Sequence, residues 1–138
     1  MGTPSYLTIN GNAIYSGKIN TFDRDIVVNS LKKFYVDQLV SIQPIPKEEF
    51  PVIVAMWIFR VPGQANWDLD NLWIYRKAFL DALTESKIIP DDCIRYITGH
   101  TGPYFVPVDH LYREKFEIII RADRRPVINE WINSLPKI

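Results

Sequence analysis

The sequence predicts a single α+β domain, a small mixed sheet with helices packed on it in the order β-α-β-α-β-β-α. Three observations predict it. The chain has 138 residues, the size of one domain. It is 47% apolar and 13% aromatic, enough for a conventional packed core. Segments with strand character and segments with helical periodicity are interspersed, without the regular alternation of a doubly wound parallel sheet. No internal repeat, low-complexity run or linker divides the chain.

The elements follow in order. Tyr6 to Ile9 reads as a first strand, with Gly11, Asn12 and Gly17 marking a loop behind it. Thr21 or Asp23 caps a helix from about Arg24 to Val40. There Ile26, Val27, Leu31, Phe34 and Leu39 recur at helical spacing, and Lys32, Lys33 and Asp37 face out. Pro44, Pro46 and Pro51 make the next connection irregular. Val52 to Val61 is β-branched and aromatic, a strong strand that stops at Pro62-Gly63. Asp68 caps a helix reaching Glu85 or Ser86, with Leu69, Leu72, Trp73, Phe79, Leu80 and Leu83 as its apolar face. Pro90 ends anything helical. Ile94 to Thr98 and Phe116 to Ile120 read as two more strands, with a short extra one at Tyr104 to Val108. A last helix, Val127 to Leu135, completes the order.

Composition narrows the function classes. The longest apolar stretch, Pro51 to Phe59, is far short of the roughly 20 residues a bilayer span needs. Met1-Gly2-Thr3-Pro4-Ser5 reads as a loose terminus, not a leader. Cys93 is the single cysteine, which excludes an internal disulfide and a cysteine-based zinc site. The expectation is a cytoplasmic protein without a membrane partner. Lys plus Arg equals Asp plus Glu, so any nucleic-acid contact has to come from a local basic surface or from metal ions.

The segment that carries chemistry is acidic. In Asp68-Leu69-Asp70-Asn71-Leu72 two carboxylates stand two residues apart at a helix start, near the positive end of its dipole. Asp91-Asp92 forms a second acidic pair just after Pro90. Carboxylates held this close repel unless a cation sits among them, and hard oxygen ligands suit Mg2+ or Mn2+. A metal so held would polarise a phosphodiester and position a water. Each feature also has a plain structural role, since aspartates cap helices and Asp-Asp after proline is turn chemistry.

These residues carry a resemblance. Asp68-Leu69-Asp70-Asn71-Leu72, a helix with Lys77-Ala78 and Asp81-Ala82-Leu83, then Asp91-Asp92 after a short loop, resembles the RusA-type Holliday junction resolvases. The likeness is specific over Asp68 to Asp92 and extends elsewhere only to element order. It implies a RusA-like fold and a homodimeric, magnesium- or manganese-dependent endonuclease cutting four-way or otherwise branched DNA. It further implies that Asp68, Asp70 and Asp92 are the catalytic, metal-binding carboxylates, with Asp91 a neighbouring ligand candidate. The carboxylates of Asp68, Asp70 and Asp92 are expected to converge on one ion. The family lysine falls one turn after the second motif aspartate, where this chain has Ile74. Counting back from Asp81-Ala82-Leu83 aligns it with Lys77 instead, with Arg76 as a substitute. Gly17-Lys18-Ile19-Asn20 resembles the small basic loop that such proteins set before their first helix. The chain is neutral where family members tend to be basic, and this leaves an alternative: a non-catalytic DNA- or protein-binding protein on the same fold.

The remaining candidates carry less. Trp67 stands beside the motif, as a base-stacking ring or a packing anchor. His100 and His110 read as surface or core-edge residues. Cys93 has no local base to activate it. Arg121, Arg124 and Arg125 form the densest basic group, read as a solvated turn ahead of a phosphate contact.

Overall fold

The computed structural model describes residues 6–11, 24–62 and 69–136. Four strands form one mixed sheet: β1 (Tyr6–Gly11), β2 (Val52–Arg60), β3 (Ile97–Pro107) and β4 (Lys115–Ala122), ordered β1-β4-β2-β3 across it. Helix α1 (Arg24–Gln38) connects β1 to β2, α2 (Leu69–Glu85) connects β2 to β3, and α3 (Pro126–Ser134) follows β4. β4 runs antiparallel to both neighbours, while β2 and β3 are parallel. Parallel strands need a crossover, and α2 supplies it.

Alternation along the two central strands sets the layers. Val52, Val54, Met56 and Ile58 of β2 and Phe116, Ile118, Ile120 and Ala122 of β4 are buried on one face. The α1 and α2 helices cover that face. The Tyr35 ring of α1 meets Phe79 of α2 at 5.3 Å and Phe116 of β4 at 5.0 Å, both edge-to-face, the arrangement ring quadrupoles favour. Each such side chain contributes roughly 1.5–3 kcal/mol by leaving water. On the opposite face Ile53, Ala55, Trp57, Phe59 and Ile119 are half-buried.

Several expectations move. The buried stripe of α1 is Val28, Leu31, Tyr35 and Leu39, whereas Ile26 is 61% exposed. Tyr35 enters the core because its ring fills the space between Phe79 and Phe116. On α2 the buried face is Ile74, Tyr75, Ala78, Phe79, Ala82 and Leu83, with Trp73 and Leu80 at its margin. The stretches at Ile94 to Thr98 and Tyr104 to Val108 belong to one strand, β3, which begins at Ile97. The register explains why they look separate. Between Ala55↔Thr101 and Trp57↔Tyr104 an extra residue enters β3, a bulge at Gly102-Pro103. Gly102 there has φ +84°, and a side chain would overlap the Met56 carbonyl. The helix-cap candidates Thr21 and Asp23 and the loop Gly17-Lys18-Ile19-Asn20 lie outside the described residues.

No helix among the described residues is long and apolar enough to cross a membrane.

Candidate functional site

Helix α2 organises the acidic residues. Its first residue is Leu69, so the backbone of Asp70 lies in the first turn, where free N–H groups and the dipole favour negative charge. Only the backbone of Asp70 is described, and Asp68 and Trp67 lie outside the described residues. At 100° per residue, Asp70, Lys77 and Asp81 fall on one stripe of the helix. Lys77 is exposed and its ammonium stands 3.8 Å from the Asp81 carboxylate. Ile74, one turn after Asp70, is buried with 1% exposure and fills the core.

Asp91 and Asp92 come together in the turn before β3. The Asp92 N–H donates to Asp91 Oδ1 at 2.8 Å. Both residues are exposed, yet partial desolvation holds the Asp92 carboxyl above its ordinary range, aided by Asp91 and by the charge of Asp81. The Asp81 charge is the weakest of these influences, and the Asp81 carboxylate itself pairs with Lys77. Among the described residues, no three His, Cys, Asp or Glu side chains stand close enough to hold a metal ion.

The crossover separates the two acidic motifs within a chain. α2 begins at the Arg60 end of β2, where Arg60 Nη1 donates to the Tyr75 hydroxyl at 3.0 Å. Asp92 lies at the Val52 end: the Val52 N–H donates to Tyr96 O, and the Tyr96 N–H closes a turn on Cys93 O. From Asp70 to Asp81 the helix axis advances about 16 Å, at 1.5 Å per residue. The start of α2 and the Asp92 turn therefore lie toward opposite ends of β2, while Asp68 and the Asp70 carboxylate, on which the expected convergence on one ion depends, lie outside what is described. A helix joining parallel strands carries the chain from one end of the sheet to the other, and the two motifs flank it.

The other cationic candidates have structural partners. Arg76 Nη1 donates to the Gly102 carbonyl at 2.8 Å, tying α2 to the β3 bulge. His100 is exposed, and its pKa is lowered by burial and then by the nearby Arg76 charge. Arg124 pairs with Glu49 at 3.0 Å. Arg125 clamps Asp123, a carboxylate 1% exposed that also accepts from the Thr98 hydroxyl at 2.6 Å. Hydrogen bonds from Arg125 outweigh the burial and hold Asp123 far below the ordinary carboxylate range. Cys93 is free and exposed. The turn at residues 123–125 thus acts as a fastening, with Asp123 and Glu49 as partners that no motif announces.

Glu114 is a second buried carboxylate, also unmarked in the sequence. Its Oε2 accepts the Val61 N–H at 3.0 Å and lies 3.6 Å from Arg60 Nε. Both side chains are largely sealed from solvent, at 4% and 13% exposure. The pair fixes the end of β2 where the chain departs toward Asp68.

No protein-family model matches the chain, and no curated protein matches it.

Proposed function

We propose that the protein is a magnesium-dependent, structure-selective endonuclease of the RusA type, cutting four-way or related branched DNA as a homodimer. The observation that carries this reading is the start of α2 at Leu69, with the Asp70 backbone in its first turn. Asp92, whose carboxyl is raised by partial burial and then by the adjacent Asp91, adds a second acidic centre that a divalent cation would relieve. In this mechanism the ion supplies a Lewis acid and a water of lowered pKa. Asp68, Asp70 and Asp92 hold it, Asp91 supports Asp92, and Lys77 meets the charge developing on the phosphate. Mn2+ serves equally, since the donors are all hard oxygens.

The Asp70 backbone is in the first turn of α2 and Asp92 follows the far end of that helix, so in this reading one ion draws on two chains. The Asp70 end of one protomer meets the Asp92 end of its two-fold mate, which also gives two equivalent sites for symmetric nicking. Support for pairing comes from α3, where Ile128, Trp131 and Ile132, with Leu135 just past its end, form an apolar stripe that the chain covers only in part. Complementation tests this arrangement. Asp70→Asn and Asp92→Asn proteins, each inactive alone, regain cleavage when mixed and allowed to exchange subunits, because one site in the heterodimer is intact. Recovery does not occur if both carboxylates act within one chain.

The alternative, a non-catalytic DNA- or protein-binding protein on this fold, is favoured by the zero net charge. It predicts no magnesium binding at millimolar concentration and no effect of Asp70→Asn on it.

A further inference from the structure

Beyond the metal-site reading, we propose that the turn between β3 and β4 is a binding site for an unpaired nucleotide, with its base stacked on Tyr112 and its phosphate met by Arg113 and Lys115. The turn residues Leu111–Arg113 form a single 3-10 turn. It borders a shallow cavity of about 630 Å³, within the usual range for small-ligand sites. Phe59 and Tyr112 supply aromatic walls, Arg113 and Lys115 supply cations, and Val108 and Gly11 complete the lining.

The side chains are arranged as a stacking platform. Tyr112 is 77% exposed, and one face of its ring lies against His110, with centroids 5.2 Å apart and planes at 18°. The Arg113 guanidinium carbon sits 5.8 Å from the same ring's centroid, and Lys115 Nζ stands 4.8 Å from that of Phe59. Exposed tyrosines on a surface turn gain little from folding, and a ring held by His110 and one guanidinium while still 77% exposed is preorganised for another π-system.

Charge completes the argument. The one carboxylate lining the cavity, Glu114, is turned inward and committed to Arg60 and the Val61 N–H. Asp109 pairs with Arg113 at 3.2 Å, but both groups are more than half exposed, a weak contact that a phosphate displaces. The outward charges of the cavity wall are positive, as a base carrying a phosphate requires. A duplex offers no free base faces, so the platform selects unpaired strands. Glu114 also joins this turn to the end of β2, where the chain sets out for Asp68, so a strand held here lies at the same end of the sheet as the start of α2.

The test is fluorescence anisotropy in EDTA with labelled 15-nucleotide oligo(dT), oligo(rU) and a blunt duplex. Without metal, the result is independent of cleavage and of Asp70. The full-length protein binds at least one single strand, at least tenfold tighter than the duplex, and whichever strand it prefers names the source. Tyr112→Ala weakens that binding about tenfold, Tyr112→Phe keeps it, and Lys115→Ala lowers the salt slope by about one. Tyr112 is a surface residue, so circular dichroism of the variant matches the parent. Absence of single-strand binding, equal affinity for duplex, or a Tyr112→Ala protein within twofold of the parent overturns the proposal.

Discussion

Arg76 on α2 reaches across to β3 and donates to the Gly102 carbonyl at 2.8 Å, while the adjacent Lys77, about 100° further round the helix, stands 3.8 Å from Asp81. Two neighbouring cations thus have different work. Arg76→Ala removes a charged, half-buried hydrogen bond and lowers stability by about 1–2 kcal/mol, seen in urea denaturation. Lys77→Ala removes only an exposed i,i+4 pair, worth about 0.3–0.5 kcal/mol. In the proposed mechanism Lys77→Ala instead slows single-turnover junction cleavage roughly a hundredfold with little change in binding. Equal rates for Lys77→Ala and the parent would remove Lys77 from the chemistry.

Asp123 makes stability depend on pH. Its folded pKa is depressed, mainly by Arg125, so its contribution is fully present above the ordinary aspartate value and is lost as pH falls below about 4. Asp123→Asn lowers stability at pH 7, by about 1–3 kcal/mol for weakened bonds to Thr98 and the turn. The variant also loses less stability than the parent between pH 7 and pH 3. Urea midpoints at the two pH values decide it, and parallel losses in both proteins would contradict the assignment.

Gly11 pairs with Phe116 in the β1–β4 register, and a Cβ there would fall inside the Phe116 ring. That ring is fully buried and packed against Phe34, Tyr35 and Phe79, so it has no room to retreat. Gly11→Ala therefore costs about 1–3 kcal/mol by overpacking, visible as a lower thermal midpoint. An unchanged midpoint would mean that β1 shifts freely.

Periodicity made the α+β class, the two long helices and the strands β2 and β4 legible, because Val, Ile and aromatic residues alternate where one sheet face is buried. It misjudged α1, since Ile26 lies about 200° around the helix from Val28, and the buried stripe is the one that Val28 shares with Leu31 and the packed Tyr35 ring. It divided β3 because Gly102-Pro103 looks like a loop, and the bulge that accommodates it depends on β2. The candidate site was legible as local spacing, Asp-x-Asp and Asp-Asp, but spacing carries no direction. That α2 sends the two motifs to opposite ends of the sheet follows from the parallel pairing of β2 with β3. Glu114 and Asp123 have no local signature at all, because each is defined by a partner that the fold brings to it.

The homodimer predicts a specific interface burying at least about 1,200 Å² in total. Light scattering at micromolar concentration then gives twice the monomer mass, and Trp131→Glu on α3 shifts it toward monomer. A monomeric parent protein would leave Asp70 and Asp92 without a common ion.

The central claim is metal-dependent cleavage, and the most direct measurement is single-turnover cutting of an end-labelled four-way junction with Mg2+, comparing the parent with Asp70→Asn. The account predicts paired, symmetric nicks by the parent. It predicts at least a hundredfold slower cutting by Asp70→Asn, with junction affinity retained. A parent protein that leaves the junction intact with both Mg2+ and Mn2+, or an Asp70→Asn protein that cuts at the parental rate, would contradict it.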